Sequence, residues 1–458
     1  MMITMFSRPT SLPRRVPVLL ACAALAASGL LLSACTGGAV TPTASSAACG
    51  PEASTSTPPV VLAEKPAPAL ARPVSMTIGT LTDGAAPDAV NAAVQAGVQL
   101  AVAEINASPF GLLGGNVQVA GGAGIDAAAL ASQGVSAVVA PSSTATTDAV
   151  NQITGSGAVF VSPTDTSDAR TGIANPGRYF TAVPSDAIQG AVLAQQLIAD
   201  GRKTVGIVAV DDPYGAALTQ TLTTALQTGG APGAAGTAGS TPGAGATVGT
   251  VAKFSASSTD LTAPVGAVTA THPDAVVLIS DDQGAAVTSA LAAGLPAEST
   301  YLVDANALDY AGVLDPGAIN CATGARAGAD TDPDFFGRLA GVAPDLTSTR
   351  FAAEAYDAVN VLALAAITSG GTGGDGIAGA MVPVTNTGTR CTTFAECSDL
   401  LSGGVDIDYD GISGPISFDA NGQESQGVVS IVRYGVSGTP VQTGTKFGAL
   451  GTATSRIP

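Results

Sequence analysis

The sequence predicts an α/β protein with largely parallel sheets, built from repeated βα units. Short, almost wholly apolar runs rich in β-branched residues recur along the chain, each stopping in a loop of Asp, Ser, Thr, Pro or Gly. Stretches whose apolar residues return every three or four positions follow several of them. Residues 204–215, TVGIVAVDDPYG, show the unit: an apolar run, an acidic loop and then helix-like residues from Ala216 to Leu226. A continuous apolar strand is one buried on both faces, as parallel sheets require. The foldable span, from Pro73 to near the C-terminus, is roughly 375 residues, enough for two cores and too long for one.

The elements follow in order. Residues 76–80 (MTIGT) form a strand whose end loop holds Asp83 and Gly84. From Asp88, Val90, Val94, Val98, Val102 and Ile105 mark one stripe of an amphipathic helix. Strands are expected at 117–120, 135–140 and 158–161, with short helices at 128–133 and from Thr147. Residues 180–184 read as a crossover, and Ser185 can cap a helix striped by Ile188, Val192 and Leu197. After the 205–210 strand, the Gly/Ala/Pro-rich segment 229–247 reads as an exposed loop, and 275–279 and 301–303 as strands. A helix is expected at 347–367, a flexible loop at 370–376, and strand character at 416–418 and 428–433.

The N-terminus reads differently. Arg8, Arg14 and Arg15 precede an apolar run from Val16 to Leu32, an export signal over 1–34. It ends in Leu32-Ser33-Ala34-Cys35, which is similar to a bacterial lipobox, with Cys35 as the lipidated first mature residue. Residues 35–73 have too little apolar bulk to offset their ordering entropy and read as a tether. The whole chain carries 17 basic and 35 acidic residues. Without the signal's three arginines the formal charge is −21, which argues against nucleic acid as a partner. Of the remaining cysteines, Cys391 and Cys397 suit a local disulfide, and Cys49 with Cys321 is a further pairing. One histidine, His272, and no paired CxxC spacing give no case for a metal. No cofactor is called for.

The candidate site lies at strand ends, where open parallel sheets place ligands. The 135–140 strand ends in Pro141-Ser142-Ser143-Thr144 and the 158–161 strand in Ser162-Pro163-Thr164-Asp165-Thr166. Hydroxyls beside free helix N–H groups suit a carboxylate. Capping alone explains either one, and the repetition in consecutive units favours a cleft. The later strands end in acid instead, at Asp211 and Asp212, at Asp281 and Asp282, and at Asp304. These offer a counter-charge to an ammonium or guanidinium group. There is no GxSxG, HExxH or Walker lysine motif, so no catalytic residue is assigned.

Six segments in order carry a resemblance: Leu100-Ala-Val-Ala-Glu104-Ile105-Asn106, VSAVVAPSST at 135–144, VFVSPTDT at 159–166, VGIVAVDDPYG at 205–215, FAAEAYDAVNVLA at 351–363, and YDGISGPISFDANG at 409–422. Together they resemble the type I periplasmic solute-binding proteins of ABC importers, in particular the branched-chain amino acid receptor group. The resemblance implies two α/β lobes joined by three hinge crossovers, with lobe 1 at 75–184 plus 330–424 and lobe 2 at 185–329 plus 425–448. It implies a small-molecule solute held between the lobes and a membrane permease as partner. By position it gives Ser142 or Ser143 to a ligand carboxylate, with Thr164, Thr166 and the nearby Ser162. It gives Tyr214 to an aromatic clamp and Asp304 to an α-ammonium group. Where the family has an aromatic, this chain has Asp281 or Asp282, which opens the site to amides or polyamine-like amines. The expected protein is a monomeric, lipid-anchored receptor on the outer face of the bacterial cytoplasmic membrane. A sensory or scaffold lipoprotein on the same fold is the alternative.

Overall fold

The computed structural model describes residues 75–450 apart from 110, 123, 169–171, 230–244, 281–283 and 329–332. The expected signal and tether, with Cys35 and Cys49, lie outside the described residues, as do Asp281 and Asp282.

Strands β1 (Met76–Thr80), β2 (Val117–Gly121), β3 (Ala137–Val139), β4 (Val159–Ser162) and β5 (Tyr179–Thr181) form a first sheet in the order β2-β1-β3-β4-β5. Every pairing in it is parallel. Strands β6 (Thr204–Val210), β7 (Thr247–Phe254), β8 (Ala275–Ile279), β9 (Thr300–Leu302) and β10 (Thr323–Ala327) are parallel in a second sheet. Strands β11 (Thr389–Cys391), β12 (Ile407–Gly411) and β13 (Gly414–Pro415) make a small third sheet. Strands β14 (Gln426–Tyr434) and β15 (Pro440–Ala449) extend the second sheet antiparallel beyond β10, in the order β15-β14-β10-β9-β8-β6-β7.

The parallel parts share one winding. In each, the first strand lies between the second and third, so the order reverses between β1 and β3 and again between β6 and β8. At such a reversal the flanking loops splay apart and leave a crevice beyond the strands' carboxyl ends. The sequence reason for these strands is burial on both faces: β3 and β8 are buried throughout.

The first sheet's main core includes two helices that meet face to face, Asp88–Ala107 and Ala352–Ser369. The second of these is buried from Ala352 through Ile367, apolar enough around its circumference to be an interior helix. Gly97 lies against the Ala352 carbonyl, where a β-carbon would collide. The second sheet has a core on each face.

The chain passes between the two sheets three times: after β5, after β10 and before β14. The third passage lies beside both others. Thr181 N–H donates to the Gly422 carbonyl at 3.0 Å, and Gly328 N–H to the Val428 carbonyl at 2.9 Å. Ser430 Oγ donates to the Gly328 carbonyl at 2.9 Å.

Several local expectations are corrected. The helix expected from 347 begins at Ala352, because Phe351 takes a left-handed φ of 65° that interrupts helical geometry. The last three residues of the expected 370–376 loop are the start of the helix Gly374–Met381. Of the expected strand character at 416–418 only an isolated antiparallel bridge of Phe418 with Glu424 forms, and the nearby strand pairing is Gly414–Pro415 with β12. Residues 179–181, partly read as crossover, are strand β5. Ser185 stands at a helix N-terminus, but its side chain makes no capping bond. Cys391 and Cys397 form the disulfide, with Cα atoms 5.4 Å apart. Cys321 is exposed and free, while Cys49 is outside the described residues.

Candidate functional site

The end of β3 carries Ser142 and Ser143, and these do different things. Ser143 caps the short turn Thr144–Thr146: its hydroxyl accepts from Ala145 N–H at 3.2 Å, and its own N–H donates to Thr146 Oγ1 at 2.8 Å. Ser142 is buried, with Oγ 2.7 Å from the Tyr179 hydroxyl and its N–H donating to Thr164 Oγ1 at 3.2 Å.

The next strand end is knitted to it. Ser162 is fully buried, and its Oγ accepts from the N–H groups of Thr164 and Asp165 at 3.3 and 3.1 Å. Tyr179 donates to Asp165 Oδ2 at 2.5 Å. Ser142, Ser162 and Thr164 are thus brought together, by bonds among themselves and to Tyr179 and Asp165.

Thr166 leads across to the second sheet's helices. Its carbonyl accepts from Asp186 N–H at 2.7 Å. Asp186 opens the helix Asp186–Ala199 and is buried. Burial pushes its carboxyl well above the usual carboxylate range; a hydrogen bond to Thr166 opposes this, and Asp168, Asp304 and Asp165 add to it. Burial likewise raises Asp168, whose Oδ2 accepts from Ala187 N–H at 3.1 Å.

Asp304, at the end of β9, is buried and already engaged. Oδ1 accepts from Ala327 N–H at 3.0 Å, and Oδ2 pairs with Arg350. Beyond Arg350, Glu354 is buried beside the second passage, where Gly328 leaves room for its carboxylate. Burial raises Glu354 to about 8. Tyr214, in the first turn of the helix Pro213–Gln227, is half-buried against the cores on both faces of the second sheet.

Asp165, Asp168, Tyr179, Asp186, Arg350 and Glu354 were not singled out as site residues. Asp186 has a local signal, a carboxylate at a helix start beside Ser185, but that pattern equally describes ordinary helix initiation. Arg350 has none, since its partner is distant in sequence. A separate surface cavity of about 580 Å³, lined by Ser258–Asp260 and parts of the helix Ala285–Ala292, includes none of the expected site residues.

Two α/β sheets of matching winding, crossed three times by the chain and bearing polar strand ends, define the type I binding-protein architecture. The chain belongs to the periplasmic binding protein family, matching it over residues 75–438. No curated protein matches it in sequence. Among solved structures, the chain is similar to the branched-chain amino acid transporter substrate-binding protein LivJ of Streptococcus pneumoniae in complex with isoleucine. The two share 20% identity over 82% of this chain and 100% of that one, with a TM-score of 0.56. An ABC transporter substrate-binding protein of Desulfitobacterium hafniense in complex with Leu gives 19% identity over 80% and 99%, with a TM-score of 0.59. A solute-binding protein of an R. palustris ABC transporter in complex with benzoate gives 13% identity over 83% and 98%, with a TM-score of 0.57.

Proposed function

We propose that this chain is the extracytoplasmic receptor of an ABC importer and that it captures a small polar solute, an amino acid first among them, between its two sheets. The observation that supports this most is the approach of unlike chemistry from the two sides: hydroxyl-rich loops after β3 and β4 on one side, Asp186 at a helix start and Asp304 at the end of β9 on the other. Such a pair suits a zwitterion, with the carboxylate toward Ser142, Ser143, Ser162, Thr164 and Thr166 and the ammonium toward Asp304. Asp281, Asp282 and Tyr214 would border the same cleft. The related structures that hold isoleucine, Leu and benzoate are consistent with a carboxylate-bearing solute.

In this reading lobe 1 spans 75–184 plus 330–424 and lobe 2 spans 185–329 plus 425–448. Ligand bridging both lobes would favour a closed population. Lipidated Cys35 and the 35–73 tether would hold a monomer at the outer face of the cytoplasmic membrane, next to its permease.

Native mass spectrometry of the mature protein, before and after unfolding and refolding, tests the reading. A small mass lost on unfolding supports it and gives the solute's formula. An empty spectrum leads to a thermal-shift panel of L-leucine, L-isoleucine, benzoate, amides and polyamines. Failure of the whole panel at millimolar concentration refutes solute capture of these classes. An unchanged affinity in Asp304→Ala removes the ammonium role from Asp304.

A further inference from the structure

Arg350 and Asp304 meet from opposite sides of the molecule. Arg350 immediately precedes the first-sheet core helix Ala352–Ser369, and Asp304 opens the turn after β9 of the second sheet. One guanidinium nitrogen, Nη2, donates both to the Asp304 carboxylate and to its main-chain carbonyl, the latter at 3.1 Å. Ala327 N–H takes the other carboxylate oxygen. The pair is sheltered, with side chains 20% and 8% exposed. The guanidinium lies 4.5 Å from the centre of the Phe351 ring. Phe351 itself holds the left-handed backbone that a β-carbon disfavours. Strain next to a sheltered ion pair marks a segment whose conformation is held by that pair and its packing.

The surroundings sharpen the point. Asp304 acts electrostatically on Asp186 and on Glu354, while Arg350 acts on Glu354 in the opposite sense. Asp165, Asp168, Asp357 and Glu424 are the other acids facing these two carboxyls. Arg350 is the cation that pairs with Asp304 and acts on Glu354 in this acidic wall. A ligand ammonium offered to Asp304 would meet a guanidinium already there, and two cations cannot share one sheltered carboxylate without strong repulsion.

We propose that Arg350 is a tethered counter-ion: it occupies Asp304 in the empty protein, joins the two sides across the gap, and is displaced when an ammonium-bearing solute binds. Arg350 is thereby a specificity-determining residue that lowers the cleft's preference for ammonium. This rests on Asp304 being the ammonium acceptor proposed above. Binding and release of Arg350 are then linked, so the solute itself must replace the cross-connection that it breaks.

Two measurements on the mature protein test it. Hydrogen exchange without ligand compares wild type with Arg350→Gln and Arg350→Lys. Peptides covering 323–328 and 350–356 should exchange at least about tenfold faster in Arg350→Gln, with peptides from β1 and β2 unchanged and Arg350→Lys close to wild type. Unchanged exchange at both segments overturns the cross-connection, whatever the solute is. Calorimetric titration then uses L-leucine and 4-methylpentanoate, its counterpart without the ammonium group. Arg350→Gln should bind L-leucine at least about tenfold tighter, with 4-methylpentanoate altered less than about twofold. Equal or weaker L-leucine binding overturns the competition. Absence of L-leucine binding in all three proteins also overturns it, and with it the amino-acid reading for this probe; exchange data still decide whether Arg350 joins the two sides.

Discussion

Tyr179 donates its one phenolic proton to Asp165, so the 2.7 Å contact between Ser142 and Tyr179 requires Ser142 to be the donor. Ser142 therefore turns lone pairs, not a proton, toward any further partner. The N–H groups of Ser142 and Ser143 are already donated to Thr164 and Thr146, so a carboxylate gains donors there when this chain of bonds reorganises. Tyr179→Phe would leave a buried serine hydroxyl and an aspartate oxygen short of a partner. We expect a loss of about 1–3 kcal/mol in urea unfolding; a midpoint within error of wild type would show the chain of bonds to be of no consequence for stability.

Asp357 is a fully buried carboxylate that organises the 409–413 turn. It accepts from Tyr409 Oη at 2.6 Å, Ile412 N–H at 3.1 Å, Ser413 N–H at 2.7 Å and Ser413 Oγ at 2.5 Å. Burial nonetheless raises its carboxyl, opposed by those bonds from Ser413 and Tyr409. Asp357→Ala should destabilise by about 3–5 kcal/mol, since several buried donors lose their acceptor at once. Asp357→Asn, of similar shape, should lose less. The order of the two variants by chemical denaturation checks the assignment.

At Gly97 the constraint is steric. The Ala352 carbonyl leaves no space for a methyl group where the helices Asp88–Ala107 and Ala352–Ser369 meet. Gly97→Ala should therefore lower the thermal midpoint despite alanine's better helix propensity, by an overpacking cost of about 1–3 kcal/mol. A raised midpoint would mean the two helices separate without penalty.

Glu354 makes stability depend on pH. Burial lifts its folded value to about 8 from an ordinary 4.5; Asp357 and Asp304 push the same way and Arg350 pushes back. Glu424, also buried, is displaced upward by burial, then by Glu354 and Asp357. The folded state thus holds protons that the unfolded chain releases. The associated stability is complete below pH 4.5 and is lost as pH rises through about 8. Unfolding free energy should decline by up to about 1.4 kcal/mol per pH unit from this one group. Glu354→Gln should remove that share of the slope between pH 5 and pH 8, and an identical slope in both proteins would refute it.

What the sequence disclosed follows from burial. Strands β1 and β8 coincide residue for residue with the expected 76–80 and 275–279 runs, because both are interior strands: β8 is apolar and buried throughout, and β1 is buried at all positions but Thr77. Strand β7 went unread: it is an edge strand, half-exposed along most of its length, with Gly249 and Lys253 inside it. The helix Gly374–Met381 was hidden by its glycines. Gly374 is there because the Gly157 carbonyl lies where a β-carbon would be, a packing requirement that composition alone presents as flexibility. At the candidate site the hydroxyls of 142–144 and 162–166 were visible as repeated strand-end chemistry. Their mutual hydrogen bonds were not, since these depend on neighbouring strands and on Tyr179. Arg350 was invisible for the same reason: no spacing connects it to Asp304.

The order in which the segments are synthesised gives the three passages a further meaning. Strands β1 to β5 are complete by Thr181, yet the helix that fills their core, Ala352–Ser369, comes after the whole parallel part of the second sheet. A chain growing from its N-terminus must therefore carry the 75–181 segment with one apolar face only partly covered, by the helix Asp88–Ala107, until that second helix arrives. The second sheet waits longer still, for β14 and β15. Contacts this far apart in sequence slow folding and leave a partly built sheet open to association and proteolysis. Termination between Ala327 and Ala352 would leave the first sheet without its core helix and the second without β14 and β15, not one finished half.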